Sequence, residues 1–382
     1  MKLTAIGSGY YRVYEVLNGI YTELSKHTSE REALESGFNF EVANPSRDIR
    51  IKHDYEVRVE LGLDTPAPTP IPTPTPAPTP VPVPGQLYAQ TSFWNRGIQT
   101  EAVHANSAGL VAEVWENVKV AGVSVNTTTY SRPIYRVDAS TPKVPVFLLQ
   151  DQGGSVDLEI RAGVRIPAQA KASNGTDGHL CILDDSIDRE YDFYRLKFNT
   201  TLSRWEAKTC GIITNYSFSD GIQKRLSVWN TATASHLPLA GGTIMLSELQ
   251  AGVIQHTLAI ALNRPKNYPA VVWPAQTTDG WYTGPNAIEE GRRFRFPSNI
   301  VINSAWTPIT KMLVTAIRDY GMVVMDKTGS GLSFYVEDPT QYGKGSEVLV
   351  PYYGGKAGYK IFGDANNQSP EFPWGKLEAI KE

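Results

Sequence analysis

Asp177 and His179 stand two residues apart at the start of an apolar run that ends at Asp184. In a strand, side chains alternate between faces, so these two would share one. The next run, 191–198, carries Asp192, Tyr194 and Arg195, and the run after it, 205–213, carries Trp205 and Lys208. His256 falls in a further run, 253–262. A histidine, a carboxylate and a tyrosine on adjacent strands of a concave sheet can do acid–base work on a sugar. His179 or Tyr194 would then be the base or acid, Asp192 would orient the imidazole, and His256 would be a second candidate. The same groups can instead hydrogen-bond a sugar without reaction. Each histidine equally fits a buried position satisfied by a strand neighbour, and Asp192 fits a solvated hairpin face.

Other chemistries find no motif. There is no G-x-S-x-G elbow, H-E-x-x-H, P-loop, dinucleotide Gly fingerprint or EF-hand loop. Two histidines and scattered aspartates lack ligand spacing, so the expectation is no metal and no cofactor. Trp94, Trp229, Trp273, Trp281 and Tyr282 lie in segments read as loops. Exposed aromatic planes there would stack on pyranose rings, and Arg195 and Trp205 would extend such a surface. Each of these rings could equally cover the rim of a core.

The elements that must position these residues are short strands separated by turn clusters. Strands are predicted at 179–184, 191–198, 205–213, 253–262, 321–326 and 332–336, with turns such as Asp185-Ser186-Ile187-Asp188 between them. Only 108–118 and 308–320 read as helices. In the second, Thr307 is placed to cap and Pro308 to start the helix, and Met312, Leu313, Ala316 and Ile317 give an apolar face. Many short strands point to an antiparallel sandwich or jelly roll over residues 87–382. Cys181 and Cys210 would lie on the first and third strands of a consecutive trio. That separation is about 9.5 Å, beyond the Cα reach of a disulfide, so free thiols are expected.

The 382 residues carry 36 basic and 39 acidic side chains, a net charge of -3, which excludes nucleic-acid binding as the main activity. No apolar run is long enough to span a bilayer, and the first residues lack a signal-peptide h-region. Residues 65–84 read TPAPTPIPTPTPAPTPVPVP, with proline at every second position. Each proline fixes its own φ and pushes its predecessor into extended backbone. The segment 63–86 is therefore expected to be a polyproline II linker, ~60 Å long over these positions at about 3.1 Å per residue. Before it, residues 1–62 read as a small ββαββ domain. Two strands flank Asn18-Gly19, a hairpin signal. A helix spans 30–43, with Ser29 and Glu32 at capping-box spacing, and strands follow at 49–51 and 55–61. The predicted fold is thus mainly β, with a small α+β domain, a stiff linker and a β-sandwich.

Four blocks of the large region resemble an uncharacterised β-domain of secreted bacterial proteins: Ser92-Phe93-Trp94-Asn95, 178–184 with 191–194, 249–259, and 320–326. The likeness covers most of residues 87–336 and implies a sandwich or jelly-roll domain of cell-envelope or polysaccharide context, with no established reaction. His179, Asp192, Tyr194 and His256 lie in the matching blocks. The small domain with its rod is similar in layout to the attachment end of tailed-phage fibre and decoration proteins. That likeness implies a virion protein released by lysis, docked on a capsid or tail protein through residues 1–62. Its β-domain would bind host surface polysaccharide in a homo-oligomer, without membrane insertion. A polysaccharide-cleaving enzyme on the same scaffold is the alternative.

Overall fold

A computed structural model of the chain describes residues 11–17, 20–27, 48–53, 87–150, 154–223, 231–353 and 372–382. The chain divides into two units, residues 1–81 with 153–162, and residues 82–152 with 163–382. In the first, strands β1 (Tyr11–Leu17), β2 (Ile20–His27) and β3 (Asp48–His53) form an antiparallel sheet in the order β2-β1-β3, and helix α2 (Gly154–Ala162) belongs to the same unit. Leu17 faces Ile20 across the hairpin that Asn18-Gly19 predicts, and the register shifts once, between Val13 and Tyr14. The predicted helix at 30–43, the strand at 55–61 and the proline segment lie outside the described residues.

The regular elements of the second unit are mostly strands, in keeping with a β-rich composition. Its largest sheet has six strands: β4 (Val123–Asn126), β14 (Leu258–Leu262), β15 (Arg293–Arg295), β16 (Met322–Lys327), β17 (Leu332–Tyr335) and β18 (Glu378–Ala379), in the order β18-β15-β16-β14-β17-β4. A second sheet runs β13-β10-β9-β5, from β5 (Ile134–Val137), β9 (Leu180–Asp184), β10 (Arg189–Tyr194) and β13 (Thr209–Thr214). Strands β7 (Val146–Leu148), β11 (Lys197–Asn199) and β12 (Arg204–Ala207) make a third, and β6 (Lys143–Val144) pairs with β8 (Val164–Arg165).

The expectation of purely antiparallel sheets does not hold. β14 pairs with β16, β17 with β4, β5 with β9 and β12 with β7 in parallel. Parallel neighbours need a crossover between them. For β14 and β16 that crossover contains β15 and helix α4 (Pro308–Asp319). The sequences of β14 (LAIAL) and β16 (MVVMDK) were the signal. They are apolar without alternation, as strands covered on both faces are.

One face of the six-stranded sheet, with Leu258, Ile260, Met322, Val324, Leu332 and Phe334, clusters with the apolar sides of α4 and of α1 (Ser107–Ala121). In α1, Leu110, Val111, Val114 and Val118 recur at helical spacing and are buried. In α4, the Thr307 side chain accepts from Thr310 N–H and Pro308 occupies the first turn, as the sequence predicts. The opposite face, with Ala259, Ala261, Val323, Met325 and Tyr335, clusters with Cys181, Leu183, Ile134 and Ile213 of the four-stranded sheet. Alanine at 259 and 261 leaves room for the 240–243 segment, where Ala259 N–H donates to Gly242 O at 2.9 Å. Gly242 has φ 68°, and a Cβ there would stand 2.4 Å from Ala259 N.

Candidate functional site

A cleft of about 660 Å³ opens between the 87–97 segment, the 240–243 turn and the short helix α3 (Leu246–Ala251). Its walls include Gln90, Trp94, Arg96, Glu248, His256 and Tyr320. The sequence predicts strand from Val253 onward and misses α3, which lies just before that run. Gly252, at φ 74°, ends α3 in a left-handed turn and sends the chain back so that His256 reaches Glu248. His256 Nε2 lies 3.0 Å from Glu248 Oε2, and Nδ1 lies 2.9 Å from the Thr257 carbonyl. Glu248 also accepts from Met245 N–H at 2.9 Å, closing the first turn of α3.

The two groups are 17% and 19% exposed, so both can be reached from the cleft. Burial works against a proton on His256, but the charge and hydrogen bond of Glu248 outweigh it and raise the pKa. With acceptors facing both nitrogens, the ring is held as an imidazolium beside a carboxylate. Such a pair can donate a proton or bind an anionic group.

The other three candidates lie together on one face of the four-stranded sheet, His179 and Asp192 out of solvent's reach and Tyr194 half-buried at its edge. Asp192 pairs with Cys181 across β9 and β10, and the His179 ring lies 5.7 Å from the Tyr194 ring. His179 is 4% exposed. Its Nδ1 is 3.0 Å from Arg132 Nη1 and its Nε2 is 3.0 Å from Ala232 O. A guanidinium only donates and a carbonyl only accepts, so the ring is the neutral Nε2–H tautomer. Burial, then the Arg132 charge, drives its pKa well below the ordinary value. Both nitrogens are spoken for, which removes His179 from acid–base work on an external ligand. Arg132 is 1% exposed, stacks 4.0 Å over Tyr335 and reaches Met325 Sδ at 3.7 Å.

Asp192 is fully buried and does not orient His179. Its Oδ2 accepts from Gln223 Nε2 at 2.6 Å and Leu239 N–H at 3.0 Å. Glu190, two positions earlier on the same face, accepts from the Tyr88 hydroxyl at 2.8 Å. Burial raises both carboxyls, Glu190 well above the usual range and Asp192 to about 6. Two buried carboxylates side by side disfavour ionising together. The sequence reading overlooked Glu190, although the period of two places it beside Asp192. Cys181 and Cys210 form no disulfide. Their partners across β10, Asp192 and Phe193, are consecutive, so they point to opposite faces.

The predicted binding aromatics separate into three groups. Trp94 is not an exposed plane: it is 1% exposed, and its indole N–H donates to Gly221 O at 2.9 Å. Its neighbours Ser92 and Asn95 spend their side chains on backbone carbonyls of Asp220, Leu87 and Ala89, so this block anchors the chain. Trp205 is half-buried and edge-on to Phe198 at 5.5 Å, Arg195 is exposed beside Tyr194, and Trp229 lies outside the described residues. Trp273 and Trp281 are 48% and 56% exposed, and Tyr282 is half-buried. These three belong to one excursion, residues 263–291, bridged at Pro265–Ile288, Lys266–Tyr282 and Val271–Glu290. Trp281 donates to Asn263 O at 3.1 Å and stands edge-on to Tyr282 at 5.9 Å. Arg293 lies 5.3 Å over the Trp273 ring. Tyr268, on the same excursion and 62% exposed, is an aromatic the sequence reading did not single out.

Among the described residues, two groups of side chains bring ligating atoms within 4.8 Å of one another: Cys181, Glu190 and Asp192, and Asp279, Glu290 and Asp326. The first is buried throughout, while the second reaches the surface through Asp279. No helix among the described residues is long and apolar enough to cross a membrane. No protein family, curated protein or solved structure matches the chain.

Proposed function

We propose that this chain is a virion-associated adhesion protein whose large β-region binds a host surface glycan. The observation that carries this reading is the exposure of Trp273 and Trp281 on one excursion, half in solvent and held by their edges. Tryptophans are ordinarily spent on a core, and rings pinned by hydrogen bonds or edge contacts present a rigid plane to a sugar. Tyr268, 62% exposed on the same excursion, adds a further amphipathic ring at that surface. The removal of His179 and Asp192 from solvent also favours binding over catalysis at that place.

The remaining parts of the proposal rest on the sequence. Residues 1–62 would dock on a capsid or tail protein, and the proline segment would hold the β-region away from the particle. The large region would be a sandwich of jelly-roll type, and several copies would add weak single-site affinities into firm attachment. The test is retention of the full chain on host cells and on their purified polysaccharide. Trp281→Ala with Trp273→Ala should lower retention at least tenfold while leaving the melting temperature within a few degrees. Unchanged retention would end the reading.

The cleft favours one second reading. A protonated His256 beside Glu248, both reachable from a 660 Å³ cleft, is a proton donor placed for cleavage of a polysaccharide. Shortening of polysaccharide chains by the wild type, lost in His256→Ala, would establish the enzyme in place of the pure binder.

A further inference from the structure

We propose that Asp279, Glu290 and Asp326 form a binding site for a divalent cation of the calcium type. Asp279 and Glu290 belong to the 263–291 excursion and Asp326 to β16, so the site joins that excursion to the six-stranded sheet. The carboxylate oxygens all lie within 4.8 Å of one another. Two oxygens on one calcium ion stand at most about 4.8 Å apart, given Ca–O distances of about 2.4 Å.

Glu290 supplies the second observation. It is fully buried, and neither of its oxygens makes a hydrogen bond of ordinary geometry; the Thr278 side chain gives it only weak support. A buried carboxylate so poorly supplied with donors is costly, and the remedies are a proton or a cation. Its neighbours point to the cation, because the other two members are acids. Without an ion the group can only hold protons: burial and the charges of Asp326 and Asp279 push the Glu290 carboxyl well up, and Asp326 rises to about 7. Lys327 Nζ lies 3.0 Å from Asp279 Oδ2, and the Arg132 charge acts on Asp326, so two cations face three carboxylates.

The donor set selects the metal. Three carboxylates with no histidine or thiol suit a hard cation. Their irregular arrangement, with Asp326 already holding the Lys327 N–H at 2.9 Å, suits calcium, which tolerates varied geometry and completes its shell with water. Asp279 is exposed, which gives the ion a way in.

The experiment uses the full chain, stripped with chelator and titrated with calcium chloride by calorimetry. Expected is saturable binding at one site with Kd of roughly 0.1–1 mM. The melting temperature should rise by roughly 5–10 °C at a hundred-fold excess over Kd. Glu290→Gln should weaken binding at least tenfold while keeping the metal-free melting temperature at or above that of the wild type. Asp326→Asn is the second variant, with the same expected loss. Absence of saturable binding up to about 10 mM, wild-type affinity in both variants, or equal affinity for magnesium would each overturn the proposal. These readouts do not involve a glycan, so they stand apart from the adhesion reading.

Discussion

Replacing Asp192 with asparagine should make the protein less sensitive to alkali. Asp192 is fully buried, and its carboxyl titrates at about 6 against an ordinary 3.8. Burial raises it, and the Leu239 N–H and other donors only partly oppose that. The folded state therefore keeps this proton to higher pH than the unfolded chain does. Stability is full below about pH 4, falls as pH rises through about 6, and levels off above. A difference of about two units at 1.36 kcal/mol each is ~3 kcal/mol. Asparagine keeps an oxygen for Gln223 Nε2 and Leu239 N–H, and its amide replaces the Asp192 oxygen that has no partner. Losing the neighbouring charge also eases the strain on Glu190, which acts in the same direction. Wild type and Asp192→Asn should melt together near pH 4 and separate by roughly 6–12 °C at pH 8, with the variant higher. Melting followed by circular dichroism across that range is the assay. Parallel curves would refute the claim that this carboxyl is forced to ionise in a buried site.

Three further outcomes follow from the same geometry. Leu313→Ala, at a fully buried position of α4 against the six-stranded sheet, should cost about 2–5 kcal/mol in denaturant unfolding. Gly242→Ala should destabilise by about 1–3 kcal/mol or more, because its Cβ meets Ala259 N at 2.4 Å and Trp94 at 2.7 Å, and the backbone is left-handed. Glu248→Gln should lower the His256 pKa below its ordinary 6.5, since burial then acts without the opposing charge, and ring-proton NMR over pH 5–8 reads this directly.

Helices α1 and α4 and strands such as β9, β10, β14, β16 and β17 were legible because their signals are local, whereas the helix at Gly154–Ala162 was not predicted. Thr307-Pro308 marks the start of α4 whatever surrounds it, and the turn at Asp185–Asp188 separates β9 from β10 in the chain as in the fold. Strand direction was not legible in the same way. Whether β14 runs beside β16 or beside β15 depends on partners more than thirty residues away. The one local hint, an unbroken apolar run where half-buried strands alternate, says only that both faces are covered. Helix α3 was hidden by its length: six residues lack the periodicity that distinguishes a helix from a strand.

The candidate site shows a different limit. The period of two correctly placed His179, Asp192 and Tyr194 on one face, yet the alternation that groups side chains says nothing about what covers them. The covering layer is made of Tyr88, Trp94, Leu237, Leu239 and Ala240, from segments on either side of the strands in the chain. Those residues turn an apparent acid–base triad into a buried network in which Arg132 fixes the tautomer of His179, and Glu190 rather than His179 is the titratable neighbour coupled to Asp192. The partner of His256, Glu248, was hidden in an unpredicted helix, and of the two candidate histidines His256 is the one that meets solvent. A titratable residue read from a strand pattern is therefore a candidate for chemistry only after its hydrogen-bond partners are known. In this chain that condition moves acid–base potential to the cleft and cation binding to Glu290.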